Sequence, residues 1–576
     1  MVDFPKNKKE KFISFFEQAK KTSQTWRNQA KESYGFVEGY SQWEESDKNE
    51  LKRQNRPALV MNAILPVVNL ISGQERTSRL GITFKPRGLD DDKTAMIANS
   101  AFKYMQDKSE LVYEVSNSFQ DMVICGRGYI YTGIDFSNIE DPTGEISIKR
   151  INPLSVFVDP SYSRYNMQDA KYVIYSKWVS EDELRLRFTD AMKDVRPGEW
   201  LGISSDLIGE KTLESSWKDT RKGQVRLLEI WYKVPKKVFL VITQSGEVQK
   251  FSSRDEASDA ISSIRSLALE RNAEIPDFDI VERIIWETRV ADVTYWKILR
   301  DRKSPYKHNK YPIIPFVGYN FDEKNMGVVE SLKDPQREKN KRWSQMLHII
   351  NTMSKSGWKI PKDSVSPSQL AKWATEAGKP GFWFEYNPRV GEPREIQGQN
   401  IPGSFVQLMQ ISEDEIRKTS GAIQELLGIA RAPDQSGKAL GILQNSGATI
   451  LSPLFDNLVR SQKLIGEISI SLIKQYYTPE KIFDILGADE KQNIDQDVIS
   501  FIEKSMSAKF DVIIDITPLI GSERDRQFNQ VVELLKIGLP PSAQLLELLL
   551  EVSDFPNKDR YLQELKANQQ QQQQQQ

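Results

Sequence analysis

Two long helical patterns flank a glycine- and proline-rich insert in the second half of this 576-residue sequence, and few folds accommodate that arrangement. The first pattern runs from Pro335 to Met353, with Asp334 as a cap and Pro335 at the first helical position. The second runs from Ser404 to Leu427 and carries a narrow apolar stripe beside a broad polar face. A stripe so narrow cannot pack as a core helix on its own. We therefore predict a helical projection whose sides are buried against copies of itself, with packing positions Trp343, Leu347, Ile350, Leu408, Ile416 and Ile423.

The insert between the two patterns covers residues 358–403 and contains five Gly and six Pro. Turn-forming residues at that density predict a small, turn-rich subdomain. The aromatic run Phe382, Trp383 and Phe384 lies within it. Because aromatic side chains anchor interfaces, these three are candidate interface residues; a core strand of the subdomain is the alternative interpretation.

Upstream of the projection, residues 56–334 have the pattern of a mixed body. Asn62 is a candidate helix cap, and a long helix is predicted from Lys93 to Ile124, where Gly126 stops it. A second helix, Asp255–Glu270, interrupts a series of strands. Because strands and helices do not alternate regularly, the pattern predicts an α+β fold with antiparallel pairing and disfavours a doubly wound nucleotide fold. The predicted strands are Tyr129–Thr132, Ile146–Ile151, Val156–Val158, Tyr172–Ser176, Arg226–Val234, Val238–Thr243, Val281–Arg289 and Val293–Leu299.

The remaining segments complete the predicted organisation. Residues 1–55 form an N-terminal helical segment. Residues 429–453 contain a loop, and 454–522 hold a long amphipathic helix and a strand, Phe510–Ile516, that returns to the body. Two helices follow within 524–566, and residues 567–576 form a glutamine-rich tail.

Composition excludes several classes of protein. One cysteine, Cys125, cannot form an internal disulfide, and with two histidines the chain has too few ligands for a zinc site of the His and Cys type. The sequence contains no run of about 18 apolar residues, so it predicts no membrane-spanning helix. The chain carries 79 Lys and Arg against 80 Asp and Glu, a net charge of −1, so no global field attracts it to nucleic acid. We expect a cytoplasmic, multi-domain protein.

The sequence contains no complete catalytic, cofactor-binding or metal-ligating motif. Gly437-Lys438 suggests a phosphate loop, but Ala432 replaces the first glycine and Ala439 the metal-binding hydroxyl. We therefore predict no cofactor and no enzyme. The alternative from another class is a metal-dependent nuclease that uses Asp511 and Asp515, two carboxylates at an even offset on a strand.

In the order of its motifs, the sequence resembles the portal proteins of tailed bacteriophages, especially the podovirus type. The resemblance covers about residues 50–530. Each motif alone is weak, but their shared order is fairly specific. The motifs are Arg56–Asn62, Gly73–Glu75, Ile151–Pro153, Val158–Pro160, Tyr311–Pro315, Val329–Gln336, Gly437–Ala439 and Leu454–Asn457.

The resemblance implies a ring, of twelve subunits in the family, at one vertex of the capsid of a virion. The body would form the wing (56–334), the two helices the stem (335–357 and 404–428), the insert the clip, 429–453 the channel-loop region and 524–566 the crown. Implied partners are double-stranded DNA in the channel, the terminase large subunit, a tail adaptor, and scaffolding and major capsid proteins. The implied channel residues are Arg431, Gln435, Lys438, Gln444 and Asn445. A capsid-interior structural protein without a channel remains an alternative.

Overall fold

The computed structural model describes residues 7–486. Excluded from that range are 78, 80, 86–91, 137–143, 197–198, 201–216, 220, 244–247, 271–277, 322–323, 354–357, 377–380, 382, 396–402 and 421–436. The predicted return strand at 510–516, the two helices within 524–566 and the glutamine-rich tail all lie outside the described residues.

Among the residues that the structure describes, helices make up about half and strands about a quarter, so the predicted α+β class is confirmed. The helices are α1 Lys8–Thr22, α2 Gln24–Glu38, α3 Glu45–Arg53, α4 Ile64–Thr77, α5 Asp92–Lys108, α6 Leu111–Cys125, α7 Glu181–Arg187, α8 Thr189–Met192, α9 Arg254–Glu270, α10 Val328–Met353, α11 Pro367–Glu376, α12 Gly403–Ser420, α13 Gly437–Tyr476 and α14 Pro479–Leu486. Within the described ranges, no helix is long and apolar enough to span a membrane.

Most strands fall close to their predicted positions, and every strand pair in the described ranges is antiparallel, as predicted. The predicted strand Val293–Leu299 is wrong, because residues 294–297 form the turn between the strands that end at Val293 and begin at Ile298. They are β1 Arg127–Asp135, β2 Glu145–Ile151, β3 Val156–Val158, β4 Tyr172–Ser180, β5 Lys218–Asp219, β6 Gln224–Thr243, β7 Val248–Phe251, β8 Phe278–Val293, β9 Ile298–Lys303, β10 Ile313–Val317, β11 Tyr319–Phe321, β12 Lys324–Met326, β13 Trp358–Lys359 and β14 Arg394–Glu395.

Two sheets form the body. The smaller has the strand order β10-β1-β2, and the larger runs β3-β4-β6-β8-β9, with β5 and β7 also paired to β6. The larger sheet extends into a long ribbon, because β6 and β8 remain paired from Leu228 opposite Val293 to Thr243 opposite Phe278.

Strand β6 is one strand where the sequence predicts two, Arg226–Val234 and Val238–Thr243. Pro235, in the gap between the two predicted strands, lies opposite Trp286 of β8. On its other side β6 pairs with β4 only as far as Tyr232 and with β7 only from Phe239. Pro235 therefore occupies a stretch with one free edge, where a residue without an N–H donor is tolerated.

The main core joins segments from both ends of the described chain. Trp26 and Phe36 of the N-terminal helices, Phe119 of α6 and Leu454 of α13 belong to one cluster of buried apolar side chains. Helix α1 packs Phe12 and Phe16 separately against the larger sheet. The N-terminal helices thus contribute directly to the core of the body.

Three predicted helix boundaries are wrong. The helix expected over Lys93–Ile124 is two helices, α5 and α6, separated at Glu110, whose φ is 52°. The first stem helix begins at Val328 instead of Pro335, since buried Val328, Val329 and Leu332 extend its apolar face by two turns. Helix α13 begins at Gly437, so the part of the predicted channel-loop region 429–453 that the structure describes, residues 437–453, is entirely helical.

Two of the three predicted cap signals are confirmed; the third, Asp334, is wrong, because this residue lies inside α10 and not at its start. The side chain of Asn62 accepts hydrogen bonds from the N–H groups of Ile64 (3.1 Å) and Leu65 (3.2 Å) at the start of α4. Gly126 ends α6 with a left-handed φ of 80°, a conformation that glycine adopts without steric cost.

Candidate functional site

The candidate functional region is the projection, defined here as α10, residues 358–395 and α12. Helices α10 and α12 pack against each other, and the insert connects them in the chain. What the projection can do depends on how its base is attached to the body, which surfaces it leaves open and which polar groups it carries.

Two glycines bring the base of α10 against the end of α6. A methyl group at Gly327 would lie 2.6 Å from the carbonyl oxygens of Val123 and Ile124. A methyl group at Gly126 would lie 2.6 Å from the carbonyl carbon of Met326. Because backbone atoms lie against backbone atoms at both positions, any residue larger than glycine would push α6 and α10 apart.

A ladder of polar side chains then fixes α10 to an extended segment, the strap, defined as residues 57–63. Gln336, Asn340 and Ser344 accept hydrogen bonds from the N–H groups of Ala63 (3.0 Å), Met61 (2.9 Å) and Leu59 (2.9 Å). Four helical residues rise about 6 Å, and two extended residues about 6.6 Å, so the two spacings match. The strap therefore lies along the helix in a defined register.

The ladder is buried and its amides are paired. Gln336 and Asn340 have no exposed surface. Gln336 donates to the carbonyl of Met61 (2.8 Å), and Asn340 donates to the side chain of Gln42 (2.8 Å), which in turn donates to the carbonyl of Phe36 (2.8 Å). A satisfied buried network of this kind specifies one arrangement of the helix, because any slip leaves donors and acceptors without partners.

Sequence reasoning missed this network. Its signal is present, however: Gln336, Asn340 and Ser344 are uncharged polar residues at four-residue spacing inside a segment that is otherwise mostly charged. The charged neighbours form ion pairs with the N-terminal helices. Lys333, which is 4% exposed, contacts Glu32 (2.8 Å), and Lys341 contacts Asp47 (2.8 Å), a hydrogen bond that raises the pKa of Lys341.

The predicted stem-packing residues are in different environments. Ile416 of α12 is buried, Trp343 and Leu347 of α10 are half-buried, and Ile350 is 40% exposed. Leu408 lies in α12, and Ile423 lies outside the described residues. An apolar residue that the prediction did not include, Ile411, is 56% exposed. The projection therefore leaves apolar side chains on its surface in the single chain.

The insert contains an aromatic cluster. The ring of Trp373 in α11 lies 5.1 Å from that of Trp358 and 4.0 Å from that of Phe384. Strands β13 and β14 close the subdomain as a two-stranded pair. Trp383 points away from this cluster and is 77% exposed. Of the three candidate interface residues, Phe384 packs in the cluster, Trp383 is open to solvent, and Phe382 lies outside the described residues.

The five predicted channel residues lie around the start of α13. Arg431 and Gln435 are outside the described residues, while Lys438, Gln444 and Asn445 fall in the first three turns of this 40-residue helix. The structure places these three on one helix.

Two side chains with potential reactivity in the described part of the chain, Cys125 and His308, pack against neighbouring groups. Cys125 is buried, and burial raises the pKa of its thiol to about 12. His308 is half-buried and stacked on Tyr306, and burial lowers its pKa to about 4. In the described part of the chain, no group of three or more acidic, His or Cys side chains could hold a metal ion. Asp511 and Asp515, the alternative nuclease pair, lie outside that part.

Comparison with known proteins finds one family model and two similar proteins, and all three are named as portal proteins. A family model described as "Phage P22-like portal protein" matches residues 13–576. The chain is 22% identical, over 594 aligned residues, to a protein named "Portal protein" of Acyrthosiphon pisum secondary endosymbiont phage 1, covering 95% of this chain and 78% of the relative. It is also 22% identical, over 518 residues, to a "Portal protein" of Helicobacter pylori bacteriophage KHP30, covering 88% of this chain and 74% of the relative.

Proposed function

The chain belongs to the phage P22-like portal protein family, and from that premise we propose that it forms a ring around a DNA channel at one capsid vertex. Portal proteins are oligomeric components of the phage capsid, and the family is structural; the comparisons indicate no catalytic family. The proposed ring has twelve subunits, conducts DNA during packaging and ejection, and resides in the virion after assembly in the host cytoplasm.

The observation that carries the proposal is the projection itself. Its base is fixed to the body by the polar ladder, so its direction is defined before any partner binds. Ile350 and Ile411 remain 40% and 56% exposed on its two helices. Neighbouring copies around a ring would cover such side chains through a heterologous contact that closes on itself.

The charge pattern supports a conduit. No charged residue occurs between Lys438 and Asp456, or between Glu395 and Glu413. A channel wall with few fixed cations traps phosphates weakly, and DNA can then slide along it. Arg431 and Lys438 are local exceptions and are proposed to touch the phosphates weakly.

The insert is the proposed docking site for the terminase large subunit and, later, the tail adaptor. Its exposed Trp383 has the size and rigidity of an interface anchor. Contacts with scaffolding and major capsid proteins are proposed for the body of the ring.

Electron microscopy of the purified full chain tests the proposal. A ring with an open axial hole is the expected result. A closed disc would favour a capsid-interior protein without a channel, and monomers at every concentration and salt would contradict the ring.

A further inference from the structure

A basic cleft lies on the body, on a part of α13 that is separate from the predicted channel residues. Its volume is about 330 Å³. The loop between β3 and β4 forms one wall, β10 forms the floor and α13 forms the other wall. The side chains that the argument uses are Arg164, Tyr165, Asn457, Arg460, Lys463 and Glu467.

Three cations face the cleft without an acidic partner. Arg164, Arg460 and Lys463 are exposed, and none of them forms a salt bridge with any residue that the structure describes. The acidic residue in the lining is Glu467, which is already paired with Lys310. The cleft therefore carries a local positive charge in a chain whose net charge is −1.

Both walls are held in position. The guanidinium of Arg460 lies 4.6 Å from the centre of the Tyr165 ring. Asp169 fixes the loop by accepting hydrogen bonds from the N–H groups of Ser163 (2.7 Å) and Arg164 (3.1 Å).

Helix α13 is fastened to the floor of the cleft by two side chains. Asn457 donates to the carbonyl of Gly318 (2.9 Å), and Ser461 donates to that of Pro315 (2.7 Å). The cations are thus arranged before a ligand arrives, which lowers the entropic cost of binding.

We propose that this cleft binds a phosphate group. One carboxylate has a single charge and is satisfied by one arginine, whereas a phosphate offers more acceptor oxygens and up to two charges. The two guanidinium groups and the ammonium group that line the cleft supply the larger number of donors and the larger positive charge that a phosphate requires. The phosphate belongs either to the backbone of double-stranded DNA or to a free phosphate or nucleotide. The proposal stands apart from ring formation, because a single chain supplies every group.

The test compares the full-length chain with a triple variant, Arg164→Gln, Arg460→Gln and Lys463→Gln, in phosphate-free buffer. The matched control carries Arg221→Gln, Lys222→Gln and Arg254→Gln, three exposed residues of the same type outside the cleft. Inorganic phosphate, acetate and a short DNA duplex are titrated separately by calorimetry. Thermal unfolding verifies folding, and the single variants replace the triple variant if it does not fold.

We expect wild type and control to bind inorganic phosphate equally and the triple variant to bind it about tenfold more weakly or worse, since charge-assisted hydrogen bonds are lost. If the DNA backbone is the source, duplex binding also weakens, and the slope of log K against log salt falls by about one for each lost contact. If the source is a free phosphate, duplex binding is unchanged. Equal phosphate binding by the triple variant and wild type, or acetate binding as tight as phosphate binding, would overturn the proposal.

Discussion

At the scale of single residues, two glycines differ sharply in what they contribute. Gly126 has a left-handed φ and is in contact with the backbone of Met326, where α6 meets the base of α10. Gly73 lies inside α4 and has no heavy atom within 4 Å of the position that a methyl group would take. The same substitution should therefore have opposite effects at these positions.

Gly126→Ala should lower the free energy of unfolding by about 2 kcal/mol or more, because it combines left-handed strain with a steric clash. Gly73→Ala should raise it by roughly 0.5–1 kcal/mol through helix propensity. Urea denaturation of both variants measures the difference. Equal effects at the two sites would contradict the close approach at Gly126.

Buried Glu229 makes a pH-dependent contribution to stability. Its carboxylate accepts hydrogen bonds from Tyr131 (2.8 Å), Lys177 (2.6 Å) and Trp231 (2.7 Å). Burial raises the pKa of this carboxyl, but Lys177 and the other donors outweigh burial and lower the pKa below 4.5. Because the folded pKa is lowered, the stabilisation is present above pH 4.5 and is lost as the pH falls through the folded pKa.

Glu229→Gln should therefore cost about 3 kcal/mol at pH 7, because it leaves Lys177 without its partner, and progressively less at acid pH. The control is Glu282→Gln, which removes an exposed ion pair between β8 and Lys237 of β6, the strand that also carries Glu229; its cost should be much smaller, because solvent screens exposed charges. Denaturation at neutral and acid pH distinguishes them. A cost for Glu229→Gln that does not change with pH would refute the argument.

At the scale of elements, most strands could be predicted from the sequence, because β-branched and aromatic runs alternate with turn residues. Helix boundaries were less predictable. No Gly or Pro marks the break at Glu110, where packing of Met105 and Leu111 decides the geometry. Conversely, residues 429–453 were expected to contain a loop, yet Leu451 and Leu454 are buried in the core, and α13 begins at Gly437 and continues through Pro453.

The ladder between α10 and the strap can be tested with a matched pair of substitutions. Gln336→Leu removes the hydrogen bonds with Ala63 and Met61 and leaves part-buried backbone groups unpaired, which should cost about 1–3 kcal/mol. Gln345→Leu, at an exposed position of the same helix, should change stability by under about 0.5 kcal/mol. Hydrogen exchange should show lost protection at Ala63 only in the first variant; retained protection there would argue against the ladder.

Two tryptophans of the insert separate folding from binding. Trp373→Ala should destabilise the subdomain by about 3 kcal/mol, because Trp373 contacts both Trp358 and Phe384. Trp383→Ala should leave stability unchanged, since that side chain is 77% exposed, while weakening adaptor binding. Calorimetry and co-sedimentation with the adaptor measure the two effects. Normal adaptor binding by Trp383→Ala would remove this residue from the interface.

At the scale of the whole molecule, the chain's near-zero net charge no longer argues against DNA. A net charge of −1 is a sum over the whole chain: the segment between Lys438 and Asp456 carries no charge, whereas the cleft carries three cations that form no salt bridge with a described residue. The ring could not be derived from periodicity alone. A narrow apolar stripe on a helix indicates that a neighbouring helix must cover it. The direction of the projection, however, is fixed by the polar ladder, which joins residues more than 270 positions apart in the sequence.

The proposed ring can be tested at the exposed apolar residues of the projection. Ile350→Glu combined with Ile411→Glu places charges where neighbouring copies are proposed to meet, and burying them unpaired would disfavour assembly by several kcal/mol for each contact. Each chain should still fold, because both positions are exposed in the monomer. Sedimentation velocity should then show folded monomers.

Leu186→Glu, on α7 of the body and 83% exposed, is the control and should assemble as wild type. If the double variant forms rings as readily as the control, these two helices do not hold the subunits together, and the contact must lie on the body.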